Sequence, residues 1–299
     1  MMSGPCRVLT RQASMRRFSQ MAGLKPISCV ISVMAILRVF SRVRRVWRLM
    51  TLARLSDGDA RVMPETVLAC DTTQGACSAA LWHKGVVVAE RLIKMQRGHA
   101  EVLLPALAEI KREAADIWAQ IDVLAVTVGP GTFTGVRVGL SAMRGLSLAM
   151  GVPVAGFGTL HMMALGSAMP MRRLVAVDAR RDTYYTQICS PDGRPCEPPT
   201  ARSLKACLAL GVEDDDPKFT VIGTGAAAIC TPGNSRFSAD SAPHWPQAAV
   251  LAAHAAGHTI DELAARPATP LYLRPPDATL PDPQKNLVFA PAKDGGTAQ

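Results

Sequence analysis

The chain has 299 residues, 48% of them hydrophobic and 19% charged, with 33 Lys plus Arg against 24 Asp plus Glu and 8 cysteines. That length and apolar share exclude a disordered chain and a disulfide-stapled miniprotein, and leave room for one or two domains that each bury a core. The net charge of +9 is uneven: residues 1–62 hold 12 bases and 2 acids, which leaves 21 bases and 22 acids from Met63 onward, so the body of the chain has no overall attraction for polyanions.

The basic leader, residues 1–62, admits three readings: an arm for nucleic acid or membrane, a cleaved targeting segment, or upstream sequence translated from a start placed too early. Its apolar stretch, Pro26 to Leu37, is a dozen residues, short of the roughly 20 that cross a bilayer. No small-residue cleavage site follows it; the run enters the Arg-rich VFSRVRRVWRLM. Met63 stands directly before the first convincing strand, so the leader is expected to lie outside the fold, as a wrong start or a targeting segment.

From Glu65 the pattern reads strand, tight turn, strand, strand: TVLACD, then TTQGAC with Thr72 to Gly75 supplying the turn, then SAALWHKG and VVVAERLI joined at Lys84-Gly85. Helical periodicity follows from His99 to about Trp118, with Val102, Leu103, Leu107 and Ile110 on one stripe. The apolar run IDVLAVTVG reads as a buried strand. It ends in Gly129-Pro130-Gly131-Thr132-Phe133-Thr134-Gly135 and enters a helix that runs to Met150 and is closed by Gly151. Strand VPVAGFG and a helix around Thr159 to Ala168 complete a first lobe over residues 63–170.

A second beginning appears at LVAVDARRDTYYTQI, with the same strand, Asp, turn, strand order as VLACDTTQGACSAAL, which suggests an internal duplication. The second half, 171–277, is reduced. After KFTVIGTGAAAI come a Pro-rich loop, one long helix over PQAAVLAAHAAGHTIDELAAR and an irregular stretch carrying a Tyr-Leu-Arg triplet. Residues 278–299 are expected to be disordered. The eight cysteines (6, 29, 70, 77, 189, 196, 207, 230) include no C-x-x-C pair; a disulfide or zinc framework is not expected, and the protein is expected in the reducing cytoplasm.

A Gly-rich strand-to-helix turn exposes backbone N–H groups that favour anions, but Gly129 to Gly135 lacks the Lys-Ser/Thr of a Walker A loop and has Thr134 where G-x-G-x-x-G needs its last Gly. Gly131, Gly135 and Gly139, four apart, equally allow a helix to approach a sheet closely. Asp71, Thr72 and Thr73 offer a carboxylate and two hydroxyls at a hairpin tip, suited to a phosphate or a magnesium-bound water and equally to a plain turn. Asp178 is the equivalent in the second half. His254 and His258 share a helix face, yet no catalytic Glu accompanies them, and His99 and His161 are isolated. No nucleophile elbow or other complete catalytic constellation is present, so neither catalytic residues nor metal ligands are assigned.

Together the segments VLACDTTQGACSAALW, VTVGPGTFTGVRVGLSAMRGLSLAMGVPVAGFGTL, VAVDARRDTYYTQI and PLYLRPPDA, between Val67 and Asp277, resemble the TsaB family of non-catalytic subunits in bacterial tRNA threonylcarbamoyladenosine biosynthesis. The resemblance implies an α/β fold of the actin, sugar-kinase and Hsp70-like (ASKHA) type, with two related lobes, the second reduced. It implies that Asp71, Thr72, Thr73 and Asp178 stand on degenerate phosphate loops, and that this chain binds no cofactor of its own, ATP and metal being used by partner subunits. The catalytic paralogue TsaD carries metal-binding histidines in an H-x-x-x-H motif on a first-lobe helix; no such pair lies between Leu81 and Arg173 here. The expected partners are a TsaD-like transferase and a TsaE-like ATPase, with tRNA met through the complex, no membrane, and a homodimer left open. The expected pairing surface is the two first-lobe helices, with small residues Gly135, Gly139 and Ala142 and apolar contacts Leu103, Leu107, Val138 and Met143; the alternative is that these side chains pack inward. A small-molecule phosphotransferase of the same fold is the competing reading.

Overall fold

The computed structural model describes residues 62–211 and 218–274; the leader up to Arg61 and the tail from Pro275 lie outside the described residues. The strands are β1 (Thr66–Gln74), β2 (Ala76–His83), β3 (Val86–Lys94), β4 (Val123–Thr127), β5 (Val154–Phe157), β6 (Arg172–Asp178), β7 (Tyr184–Cys189), β8 (Thr200–Arg202), β9 (Phe219–Ile222) and β10 (Phe237–Ala239). The helices are α1 (His99–Glu113), α2 (Ala115–Trp118), α3 (Phe133–Met150), α4 (Thr159–Leu165), α5 (Leu204–Leu208), α6 (Ala226–Ile229), α7 (Ala248–Ala256) and α8 (Ile260–Ala264).

The strands form two five-stranded sheets, β3-β2-β1-β4-β5 and β8-β7-β6-β9-β10. In each sheet the first three strands pair antiparallel and the last two join in parallel. The same order occurs twice, and this duplicated, mixed sheet is the ASKHA architecture; the two lobes are related and the second is the smaller.

Strand β1 shows why its sequence reads as an almost unbroken apolar run: all nine residues are buried, as expected of a central strand covered on both faces. Side-chain alternation divides the core. Leu68 and Cys70 pack with Leu103, Leu107 and Ile110 of α1 and Leu140 and Met143 of α3. Val67 and Ala69 pack on the other face with Leu251, Ala252 and Ala255 of α7. In the second sheet Leu174, Phe219 and Val221 pack with Cys207 of α5 and Ile229 of α6, while Val175, Val177 and Ile222 pack with Leu160 and Met163 of α4.

Several sequence expectations change here. The C-terminal helix, assigned to the second lobe, packs against the first sheet: its small side chains fit closely over Ala69 and Ala80. Conversely α4, counted with the first lobe, mainly covers the second sheet. The 99–118 helix breaks at Ala114 (φ −130°, ψ 50°). The single long helix near the C-terminus is two, because Thr259 and Glu262 form a capping box that starts α8 afresh. The edge strands β8 and β10 are three residues each, too short to show a period.

Candidate functional site

Asp71 is not at a hairpin tip. It lies within β1, fully buried, and the turn falls at Gly75. Its Oδ1 accepts hydrogen bonds from the Thr73 amide at 3.2 Å, the Thr73 hydroxyl at 2.6 Å and the Thr127 hydroxyl, while Oδ2 has no hydrogen-bond partner. Burial raises its pKa to about 6, against the lowering effect of these donors and of His99. His99 is buried at the start of α1 and donates through Nε2 to the Gln74 carbonyl at 3.0 Å.

The loop from Gly129 to Gly135 lies directly on this strand. Thr132 donates its amide to the Thr73 carbonyl at 2.9 Å, and the Thr72 hydroxyl donates to the Gly135 carbonyl at 2.7 Å. A Cβ on Gly131 would stand 2.5 Å from the Thr73 carbonyl oxygen, and one on Gly135 2.0 Å from that of Thr72. The approach is backbone to backbone, which only glycine permits. Pro130 accepts from the Gln74 side chain at 3.3 Å, and Thr132 caps α3 by accepting from the Gly135 amide at 3.2 Å. Phe133 and Thr134 open the helix, exposed. The space above Asp71-Thr72-Thr73 is therefore taken by the chain itself.

In the second lobe Asp178 occupies the matching end of β6 but is exposed; its Oδ1 accepts from the Arg180 amide at 2.7 Å and its own amide donates to the Thr224 hydroxyl. Arg180, Arg181 and Asp182 follow with φ of 65°, 53° and 53°, three successive non-glycine residues in a region that costs roughly 1–2 kcal/mol each. Between the lobes lies a cleft of about 230 Å³, lined among others by Gln74, Thr132, Phe133, Asp178, Tyr185 and Arg274. Asp71 is absent from that lining, so the two aspartates that match in sequence do not face one another across an open site.

The expected pairing residues separate into two groups. Leu103, Leu107 and Met143 are at most 4% exposed and belong to the core, and Gly135 and Gly139 are buried against β1. They are unavailable to a partner as they stand, because the stripe that gives α1 its period is the stripe that faces its own sheet. Val138 and Ala142 are half-buried, and they join Leu104, Phe133 and Arg137 in lining a groove between α1 and α3. Leu104, 58% exposed, is the residue the sequence reading passed over; its position one step off the apolar stripe was the available signal.

His254 and His258 do come together, and His161 joins them: ring centroids stand 4.8 Å apart for His254–His258 and 5.1 Å for His161–His254. His258 donates through Nδ1 to the His254 carbonyl at 2.9 Å. Burial, with the neighbouring cations adding, pushes His254 down to about 4 and lowers His161. Among the described residues no group of three or more His, Cys, Asp or Glu is arranged to hold a metal ion, and no helix is long and apolar enough to cross a membrane.

The family model of TsaD, the tRNA N6-adenosine threonylcarbamoyltransferase, matches residues 87–190. An uncharacterized protein of Mycobacterium tuberculosis is 35% identical over 224 residues, covering 73% of this chain and 96% of that protein. The tRNA threonylcarbamoyladenosine biosynthesis protein TsaB of Escherichia coli is 38% identical over 122 residues, covering 40% of this chain and 52% of TsaB, so the match spans about half of that relative. Among solved structures, YeaZ from Pseudomonas aeruginosa aligns with a TM-score of 0.56 at 28% identity, over 70% of this chain and 100% of that one. With a relative 35% identical that this chain covers over 96% of its length, further relatives named TsaB and a solved structure of the same fold, the chain belongs to the TsaB-like family.

Proposed function

We propose that this chain serves tRNA threonylcarbamoyladenosine biosynthesis in the cytoplasm as a non-catalytic subunit, pairing with a TsaD-like transferase while a TsaE-like ATPase joins the assembly. That modification is the one for which the TsaB relatives of Escherichia coli and Haemophilus influenzae are named. The observation that carries the reading is the closure of the first-lobe hairpin: the Gly-rich loop occupies the space over Asp71 to Thr73 where a phosphate would need open backbone and hydroxyl donors. A chain with its own phosphate position filled is suited to act through a surface. The groove between α1 and α3, with Leu104 exposed beside Val138 and Ala142, is that surface.

The test is co-purification of the full chain with the TsaD-like protein of the same genome, followed by a tRNA modification assay with and without it. A stable complex and modification that needs both chains is the expected result. ATP turnover by this chain alone with a small acceptor, and no complex, would replace the reading with a phosphotransferase.

A further inference from the structure

Phe133, at the start of α3, and Tyr272, near the end of the described chain, meet with ring centroids 5.4 Å apart and planes tilted by 34°. Both are partly exposed, 40% and 38%, and both are pinned. The Arg137 guanidinium lies 3.5 Å over the Phe133 ring, and its Nε donates to the Tyr272 hydroxyl at 3.0 Å. The two rings line the interlobe cleft beside Arg180 and Arg274. Arg180 is held at the raised, left-handed tip after β6, and Arg274 reaches the same turn through Nη1, which donates to the Ala179 carbonyl at 3.4 Å. A rigid, exposed aromatic pair next to two arginines is the combination that holds an unstacked base and its backbone.

We propose that this cleft mouth is a subsite for single-stranded RNA, in which one unpaired base lies on the Phe133–Tyr272 pair and the adjoining phosphodiesters meet Arg180 and Arg274. A nucleoside triphosphate fits less well. The Gly-rich loop fills the first-lobe phosphate position, and the Asp178 carboxylate in the same cleft opposes a ligand carrying several negative charges on one terminus, whereas a phosphodiester brings one charge per unit. A duplex presents no free base face to the rings. Only the choice of RNA over DNA rests on the proposed function; the subsite itself is argued from the cleft.

The experiment measures anisotropy of a labelled RNA stem-loop on the full chain alone, with no partner subunit, so that failure to pair with a transferase leaves the result readable. Wild type is compared with Tyr272→Ala, Tyr272→Phe and Arg180→Ala/Arg274→Ala, each checked by thermal melting. Tyr272→Ala should weaken loop binding about tenfold, as loss of one stacked base does, with Tyr272→Phe close to wild type. The double Arg variant should lower the slope of log affinity against log salt by about 1 to 2. Iodouracil placed in the loop should crosslink to peptides holding Phe133 or Tyr272. Because the leader alone carries 12 bases, crosslinks confined to residues 1–61 would overturn the proposal. So would unchanged affinity in Tyr272→Ala, equal binding of a fully paired duplex, or displacement of the RNA by ATP at the RNA's own affinity.

Discussion

The Thr72 hydroxyl is 2.7 Å from the Gly135 carbonyl oxygen, and it ties the central strand of the first sheet to the first turn of α3 across 63 residues of chain. The bond is possible because Gly135 has no side chain: a Cβ there would stand 2.0 Å from the Thr72 carbonyl oxygen. Main chain cannot yield as a flexible side chain can, so the strand and the helix would have to part.

Gly135→Ala should therefore cost about 3 kcal/mol or more, at the upper end of overpacking penalties, and lower the melting temperature by roughly 6–12 °C in a domain of this size. Gly145 is the control on the same helix. It is exposed with nothing near its missing Cβ, so Gly145→Ala should stabilise by about 0.5–1 kcal/mol through helix propensity. Thermal melts of the two variants are expected to move in opposite directions.

Asp71 makes the first lobe sensitive to pH in an unusual direction. Burial lifts its pKa from 3.8 to about 6, so below 3.8 both folded and unfolded chains are protonated and the site costs nothing. Between 3.8 and 6 the unfolded chain ionises while the folded one holds its proton, and stability falls as pH rises, by at most about 3 kcal/mol for two units. Asp71→Asn keeps an oxygen acceptor for Thr73 and Thr127 and removes the charge. The difference between variant and wild type in urea midpoints should grow in the variant's favour from pH 4 to 6 and then level off; a flat difference would mean that Asp71 ionises freely.

The histidine cluster works in the opposite sense over a similar range. Burial holds His254 near 4 rather than 6.5, and His161 from α4, His258 beyond the end of its own helix and the Arg266 guanidinium, all facing it, add to the lowering. Above pH 6.5 both states are neutral. As pH falls from 6.5 toward 4 the unfolded chain takes the proton first, so stability is lost. His254→Gln should remove part of that acid loss and leave stability at pH 7.5 little changed, which chemical denaturation at several pH values reads directly.

The hairpins, the buried strands, the helix closed by Gly151 and the repeated strand-Asp-turn signal were legible in the sequence because each rests on local rules: period, turn residues and capping. What was not legible depends on which face meets which. The alternation of β1 shows that both faces are apolar, but nothing local states that α7, far along the chain, covers one of them while α4 turns to the other sheet. Asp71 was visible as a candidate and misplaced at a tip, because its burial depends on how distant elements pack around β1, with Thr127 of β4 donating to its carboxylate from 56 residues along the chain. The aromatic pair of Phe133 and Tyr272 joins residues from two separate motifs, and its geometry has no one-dimensional signature.

The division of α1 into an inner and an outer row gives the sharpest test of the pairing surface. Leu103 is 1% exposed inside the core and Leu104, its neighbour, is 58% exposed in the groove toward α3. Truncating Leu103 to Ala removes core contacts and should cost about 2–5 kcal/mol, which would weaken any complex only through loss of folded protein. Leu104→Glu leaves the core intact, so its melting temperature should stay within about 2 °C of wild type, as surface substitutions do. A charge buried without a partner at an interface is costly, and the affinity for a TsaD-like chain, measured by calorimetry, should fall at least about tenfold, equivalent to 1.4 kcal/mol. Unchanged affinity in Leu104→Glu would move the pairing surface off the groove between α1 and α3 and direct the search to the exposed edge of β3, where Val86 and Leu92 stand open at 60% and 40%.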